Sequence, residues 1–142
     1  MCGVVVNIFG SATMYEGNFL NNKIVYLMDC EQRYAEGIVY SLAKHGCRVV
    51  GLTSSSFFPM RLSRHLESWL LSPALGDGFS EYLDFMKGLQ ERGVIIPSGD
   101  LSVKFLSRYS ETLAGEGFLI NTPSEEVLET LFDKFRCNRA CQ

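Results

Sequence analysis

Between Lys23 and Thr53 the hydrophobic period changes twice, and that change limits what the chain can fold into. Lys23-Ile-Val-Tyr-Leu-Met28 is a short, β-branched apolar run of the kind that forms a buried strand. Ala35, Ile38, Val39, Leu42 and Ala43 then recur at helical spacing and share one face. Gly46 stands where a left-handed helix C-cap is expected, and Arg48-Val-Val-Gly-Leu-Thr53 reads as a second buried strand. A parallel pair of strands needs a crossover of this length. The opening unit is therefore expected to be βαβ, with a right-handed connection.

The pattern continues down the chain. Trp69-Leu-Leu71, bounded by Ser72-Pro73, is a third apolar run. Asp77 and Gly78 are expected to open a helix with Phe79, Tyr82, Leu83, Met86 and Leu89 on its buried stripe and Gly93 at its end. Val94-Ile-Ile-Pro97 reads as a strand, and Gly117-Phe-Leu-Ile120 as another. Between them Asp100 is the natural N-cap of a helix carrying Leu101, Phe105, Leu106 and Tyr109. A last helix starts at Ser124, with Glu125 and Glu126 in its positive first turn. Its apolar face is Leu128, Leu131, Phe132 and Phe135, and Lys134, Arg136 and Arg139 fall in its last turns. Together these elements predict one α/β domain with a mostly parallel sheet of four or five strands flanked by helices. Residues 1–22 stand apart as an N-terminal extension: Val4–Phe9 reads as an extra strand or a leader, and Gly10–Asn22 as a loop.

Composition narrows the function classes. A chain of 142 residues holds one domain with a real core. Its net charge of −3 argues against a nucleic acid or an acidic membrane surface as partner. No apolar run approaches the roughly 18 residues of a membrane span. No Lys or Arg precedes the apolar start and no clean cleavage site follows it, which speaks against a signal peptide. Five cysteines are an odd number, so free thiols in a reducing cytoplasm are expected rather than a disulfide framework. Cys137 and Cys141, with only His45 and His65 to help, make a poor zinc site.

In an open α/β sheet, ligands bind beyond the carboxyl ends of the strands. That places Asp29, Glu31, Gln32 and Arg33 at the rim of any cleft, unless the loop is an ordinary solvated turn. Arg64 is a candidate cleft cation or a surface residue, and Asp100 a cleft carboxylate or simply a helix cap. The first loop has no G-x-G-x-x-G and no glycine before Gly37, so dinucleotide binding loses its main support. No Walker-type phosphate loop occurs, no Ser-His-Asp set, and His65 has no evident acid or serine partner.

The order of the landmarks carries more than any one of them. After the βαβ unit come Ser63-Arg64, then Ser72-Pro73, Ile96-Pro-Ser-Gly-Asp100, Phe118-Leu-Ile-Asn-Thr-Pro-Ser124 and Leu131-Phe-Asp-Lys-Phe-Arg136. In this series the chain resembles the N-terminal (pre-ATP-grasp) domain of ATP-grasp carboxylate–amine ligases, most of all proteins similar to the large subunit of carbamoyl-phosphate synthase. The likeness spans about residues 23–136, with 137–142 as the start of the ATP-grasp part. It implies a Rossmann-like three-layer domain without the glycine fingerprint, forming one wall of an active site and binding part of the acceptor substrate. It implies that Lys134 reaches the nucleotide phosphates, and that Asp29, Glu31, Arg33, Arg64 and Asp100 lie on the substrate side. ATP and Mg²⁺ are implied for the full-length enzyme, with small-molecule carboxylate and amine substrates. The glycine-rich loop, second phosphate lysine and magnesium ligands of such ligases are not in this sequence. A fragment inactive on its own, which needs a C-terminal ATP-grasp lobe, is therefore expected. The alternative is a free-standing, non-catalytic α/β module of flavodoxin-like form that binds a small ligand or docks a partner. There, Met1–Phe9 would add a strand to a neighbour's sheet, and a homodimer is open.

Overall fold

The fold comes from a computed structural model, which describes residues 22–76, 79–133 and 138. The order of elements is β1 (Ile24–Leu27), α1 (Ala35–Lys44), β2 (Arg48–Thr53), a 3-10 turn (Pro59–Leu62), β3 (Ser68–Leu71), α2 (Ser80–Gly88), β4 (Val94–Ile96), α3 (Asp100–Gly115), β5 (Leu119–Ile120) and α4 (Glu125–Phe132). The strands form one five-stranded sheet in the order β3-β2-β1-β4-β5, and every neighbouring pair is parallel. This is a Rossmann-like α/β domain in three layers. β1 lies at its centre, where Val25 pairs with Val49 on one side and Val94 on the other.

All four residues of β1 are buried, which explains why its sequence is continuously apolar rather than alternating. Residues that alternate along the strands feed two separate cores. Val25, Leu27 and Val49 face Ala35 and Val39 of α1, with Phe58 and Met60 from the 3-10 crossover. Tyr26, Val50, Leu52 and Ile95 face the other way, onto Tyr82 and Met86 of α2 and Phe105, Leu106 and Leu113 of α3. The crossovers that run from β1 toward β3 cover one face, and those that run toward β5 cover the other. A single hand of connection requires that arrangement when the direction of travel reverses. The chain turns from α1 into β2 at Gly46, whose φ of +79° lies in the left-handed region expected from the sequence.

Three expectations need correction. The helix expected to end at Gly93 stops at Gly88, and Leu89 is extended and buried against the core instead. Asp77 and Gly78, which were expected to open it, lie outside the described residues. Asp100 is not the N-cap of α3. Gly99 holds that position with extended backbone, and Asp100 is the first helical residue. Finally, α4 ends at Phe132, and Asp133 is already extended at φ −92° and ψ 106°. The physical reason is a shortage of surface to pack on. Among the described residues of its apolar face only Leu128 is buried, while Leu131 and Phe132 are 55% and 43% exposed. Residues 1–21, and with them the expected strand at Val4–Phe9, lie outside the described residues, as do Lys134, Phe135, Arg136, Arg139, Cys137 and Cys141.

Candidate functional site

From β1 the chain proceeds toward one edge of the sheet, and from β4 toward the other. The gap beyond their carboxyl ends is the switch point at which open α/β sheets bind ligands. Three bonds hold the segment that leaves β1, two of them to the exit of β4 and one to β2. The Met28 amide donates to Ile96 O at 3.0 Å, the Cys30 amide to Leu52 O at 3.0 Å, and the Ser98 hydroxyl to Met28 O at 2.6 Å. The residue between them, Asp29, adopts a left-handed φ of +51°. Aspartate is one of the few residues that enters this region without a large penalty.

The turn at Asp29 sets its carboxyl group against the start of α3. A Cβ built on Gly99 would lie 2.6 Å from Asp29 Oδ2, so the space a side chain would fill at this N-cap is taken by the aspartate. One turn on, the fully buried Ser102 closes the helix end: its hydroxyl donates to Gly99 O at 2.8 Å and accepts from the Gly99 amide at 3.0 Å. Burial pushes the Asp29 carboxyl above the usual carboxylate range. The Ser102 hydroxyl and Gly99 amide offset this in part, and the nearby Glu31 charge reinforces it.

Glu31 stands two residues further along the same loop. The Ser54 hydroxyl at the end of β2 donates to its Oε1 at 3.3 Å. Its Oε2, like Asp29 Oδ2, is buried without any hydrogen-bond partner. Two unmatched carboxylate oxygens in one loop are unusual, because buried acceptors are nearly always paired. Tyr82 of α2 faces the same region with its ring almost completely buried. Its phenol is raised well above the ordinary range, chiefly by burial, with the Asp29 and Glu31 charges adding and a bond to Ser72 opposing. Cys30, between the two acids, is pushed up to about 11 by burial and by Glu31, so it stays a thiol and has little nucleophilic character.

Of the other residues singled out from sequence, Arg33 lies in the same loop but is exposed, and Asp100 is exposed on the first turn of α3. Arg64 lies on the crossover that enters β3 at its amino end and is also exposed, so it is not brought to Asp29. Ser98, Gly99, Ser102 and Tyr82 had not been read as site residues. The available signal was Gly99 itself, since a glycine at an N-cap leaves its place free for another residue's side chain.

At the opposite end of the strands an open recess of about 310 Å³ lies against Ile24, Tyr26, Val50 and Leu70. Arg48 stands at its lip, and both sides of its guanidinium are already taken, by Glu67 at 2.7 Å and Glu91 at 2.8 Å. Among the described residues that line the recess, that leaves no free cation to hold an anion.

Among the described residues no group of three or more His, Cys, Asp and Glu stands close enough to hold a metal ion. The described part of the switch point also has no glycine-rich cradle for phosphates. Among the described residues no helix is long and apolar enough to cross a membrane. No protein-family model and no curated protein matches this chain.

Proposed function

We propose that this chain is the substrate-side domain of an ATP-dependent carboxylate–amine ligase of the ATP-grasp type, working in the cytoplasm and inactive without an ATP-grasp lobe. The ordered series of motifs from Ser63-Arg64 to Asp133-Lys134 supports this reading. The observation that carries it is the pair of unmatched oxygens, Asp29 Oδ2 and Glu31 Oε2, in the loop at the switch point. Two acidic acceptors suit the protonated form of an amine substrate better than a carboxylate or a phosphate. In this reading ATP with Mg²⁺, held mainly by the other lobe, supplies the activation of the carboxylate. The residues of this domain bind and orient the acceptor, and Lys134 neutralises phosphate charge.

The test is the reading frame beyond codon 142, followed by ATP-dependent phosphate release from the longer chain. The expected result is an encoded second lobe, and release that is lost in Lys134→Ala. A stop codon at that point overturns the ligase reading, and equal rates for the longer chain and its Lys134→Ala variant remove Lys134 from the nucleotide site.

One observation favours a second reading, a free-standing small-ligand module: both faces of the sheet already carry helices or a crossover over buried cores. The same reading frame separates the two.

A further inference from the structure

We infer that the free edge of β3 is a docking surface for this chain's own segment Val4–Phe9, which pairs there as a sixth strand. The inference makes no use of the ligase reading. Among the described residues β3 pairs with β2 alone, so along Ser68–Leu71 every second amide and carbonyl faces away from the ladder. Exposed sheet edges are ordinarily blunted by a charge, a proline or a bulge, or they are covered. Ser68-Trp-Leu-Leu71 has no charged residue and no proline, and its register against β2 runs without a bulge. That leaves a cover.

The margin of this edge is apolar as well. Phe58 and Arg61 of the crossover lie against Trp69 of β3, with ring centroids 5.6 Å apart and the guanidinium 5.4 Å from the indole. Their sequence neighbours Phe57 and Leu62 are 90% and 92% exposed, and Leu71 at the end of the strand is exposed too. Large apolar side chains grouped beside an open edge mark a surface that binds something.

Two observations choose the occupant. The first is where the chain enters the sheet. The Asn22 amide donates to Gly46 O at 2.8 Å, in the turn that leads into β2. The residue ahead of β1 is thus fastened on the β2 side, the side that leads to β3. The opposite edge, β5, has only two residues and is the poorer template for a six-residue segment. The second is reach. Val4-Val-Val-Asn-Ile-Phe9 is the apolar, β-branched run that precedes β1, and residues 10–21 connect it to Asn22. A connection of that length spans up to roughly 40 Å, whereas a strand added beyond β3 lies about 14 Å from β1. Tethering holds the segment near the edge at an effective concentration on the order of millimolar, which a second copy in dilute solution does not match.

The experiment is amide hydrogen exchange, followed by NMR on the 142-residue chain and on its Val5→Pro and Val6→Pro variants, with sedimentation over a dilution series. Adjacent positions are used because a proline at one of the two removes an amide that points at the edge, whichever register is adopted. In the wild type, slow exchange at all four residues of β3, independent of concentration, is the expected result. At least one proline variant is expected to speed exchange at the outward-facing residues by about tenfold or more, while Val25–Leu27 of β1 stay protected and report an intact sheet. Wild-type β3 in which alternate amides exchange as fast as those of an exposed loop overturns the inference, and that arm needs no variant to fold. Rates that are equal in the wild type and both variants overturn it as well. Protection that is lost on dilution, with a dimer at high concentration, overturns self-docking in favour of a second copy.

Discussion

Asp29 combines three features that each cost free energy: a left-handed backbone, partial burial, and a carboxylate oxygen without a partner. Their coincidence at the switch point is the ground on which we propose it as a binding residue. The cost has a pH signature whose sign can be worked out. The folded carboxyl titrates above its ordinary value, so the folded state holds a proton over a window in which the unfolded state has released it. Stability falls as pH rises through that window, and the penalty is fully present once the pH is above the folded value. Asp29→Asn keeps the size and tolerates the left-handed turn but carries no charge. It is expected to raise Tm at pH 7 and to leave Tm unchanged once the pH is below the ordinary aspartate range. Thermal scans across pH check this, and an equal shift at both ends would mean that the charge is not the cause. The sequence allowed Asp29 and Glu31 to be named, because they follow a recognisable strand directly. It did not allow Ser102 to be named, because a serine inside a helical pattern carries no sign of what its hydroxyl reaches.

At the scale of elements, α3 is the pillar of the larger core. Its Phe105 is fully buried, with ring centroids of Phe79, Tyr82 and Tyr109 within 5.6 Å, 5.0 Å and 5.3 Å. Phe105→Ala is expected to cost about 3–5 kcal/mol of folding stability, by analogy with large-to-small core substitutions. Urea unfolding with an unchanged m-value would verify it. A similar cut at Phe132, which is 43% exposed and lies under the Lys104 ammonium at 5.0 Å, is expected to change stability by less than about 1 kcal/mol. The contrast explains why β1, α1, β2 and α3 were legible in the sequence while the extent of α4 was not. Periodicity reports which residues share a helix face. It does not report whether anything packs on that face. For α1 and α3 the sheet does, and the helices are as long as their apolar stripes. For α4 the packing surface runs out after Leu128, and the helix ends ahead of the pattern.

For the molecule as a whole, the two ends of the sheet do different work. The carboxyl end has unmatched acceptors, whereas the amino end is closed by charge pairs among residues far apart in sequence. Arg48 opens β2, Glu67 directly precedes β3, and Glu91 lies just ahead of β4, so one guanidinium joins the entries of three strands. Tyr26 brings in a fourth strand, β1, its hydroxyl donating to Glu91 O at 3.0 Å. No short sequence pattern announces such a latch, because its members are 19 and 43 residues apart. The pairs hold the Glu67 carboxyl below the usual range, principally through the Arg48 hydrogen bond. A carboxyl with a lowered folded value contributes stability above its ordinary range and loses it as pH falls through the folded value. Glu67→Gln should therefore lower Tm near neutrality and converge with the wild type in acid. Because the group is on the surface, the difference should also shrink as salt is added. Glu91→Gln in the same background tests whether the latch acts as one unit, since partners on one guanidinium are not independent. The double variant is then expected to lose an amount different from the sum of the single losses. Strict additivity would mean that the two glutamates act separately, and that the amino ends of the strands are held by the sheet alone.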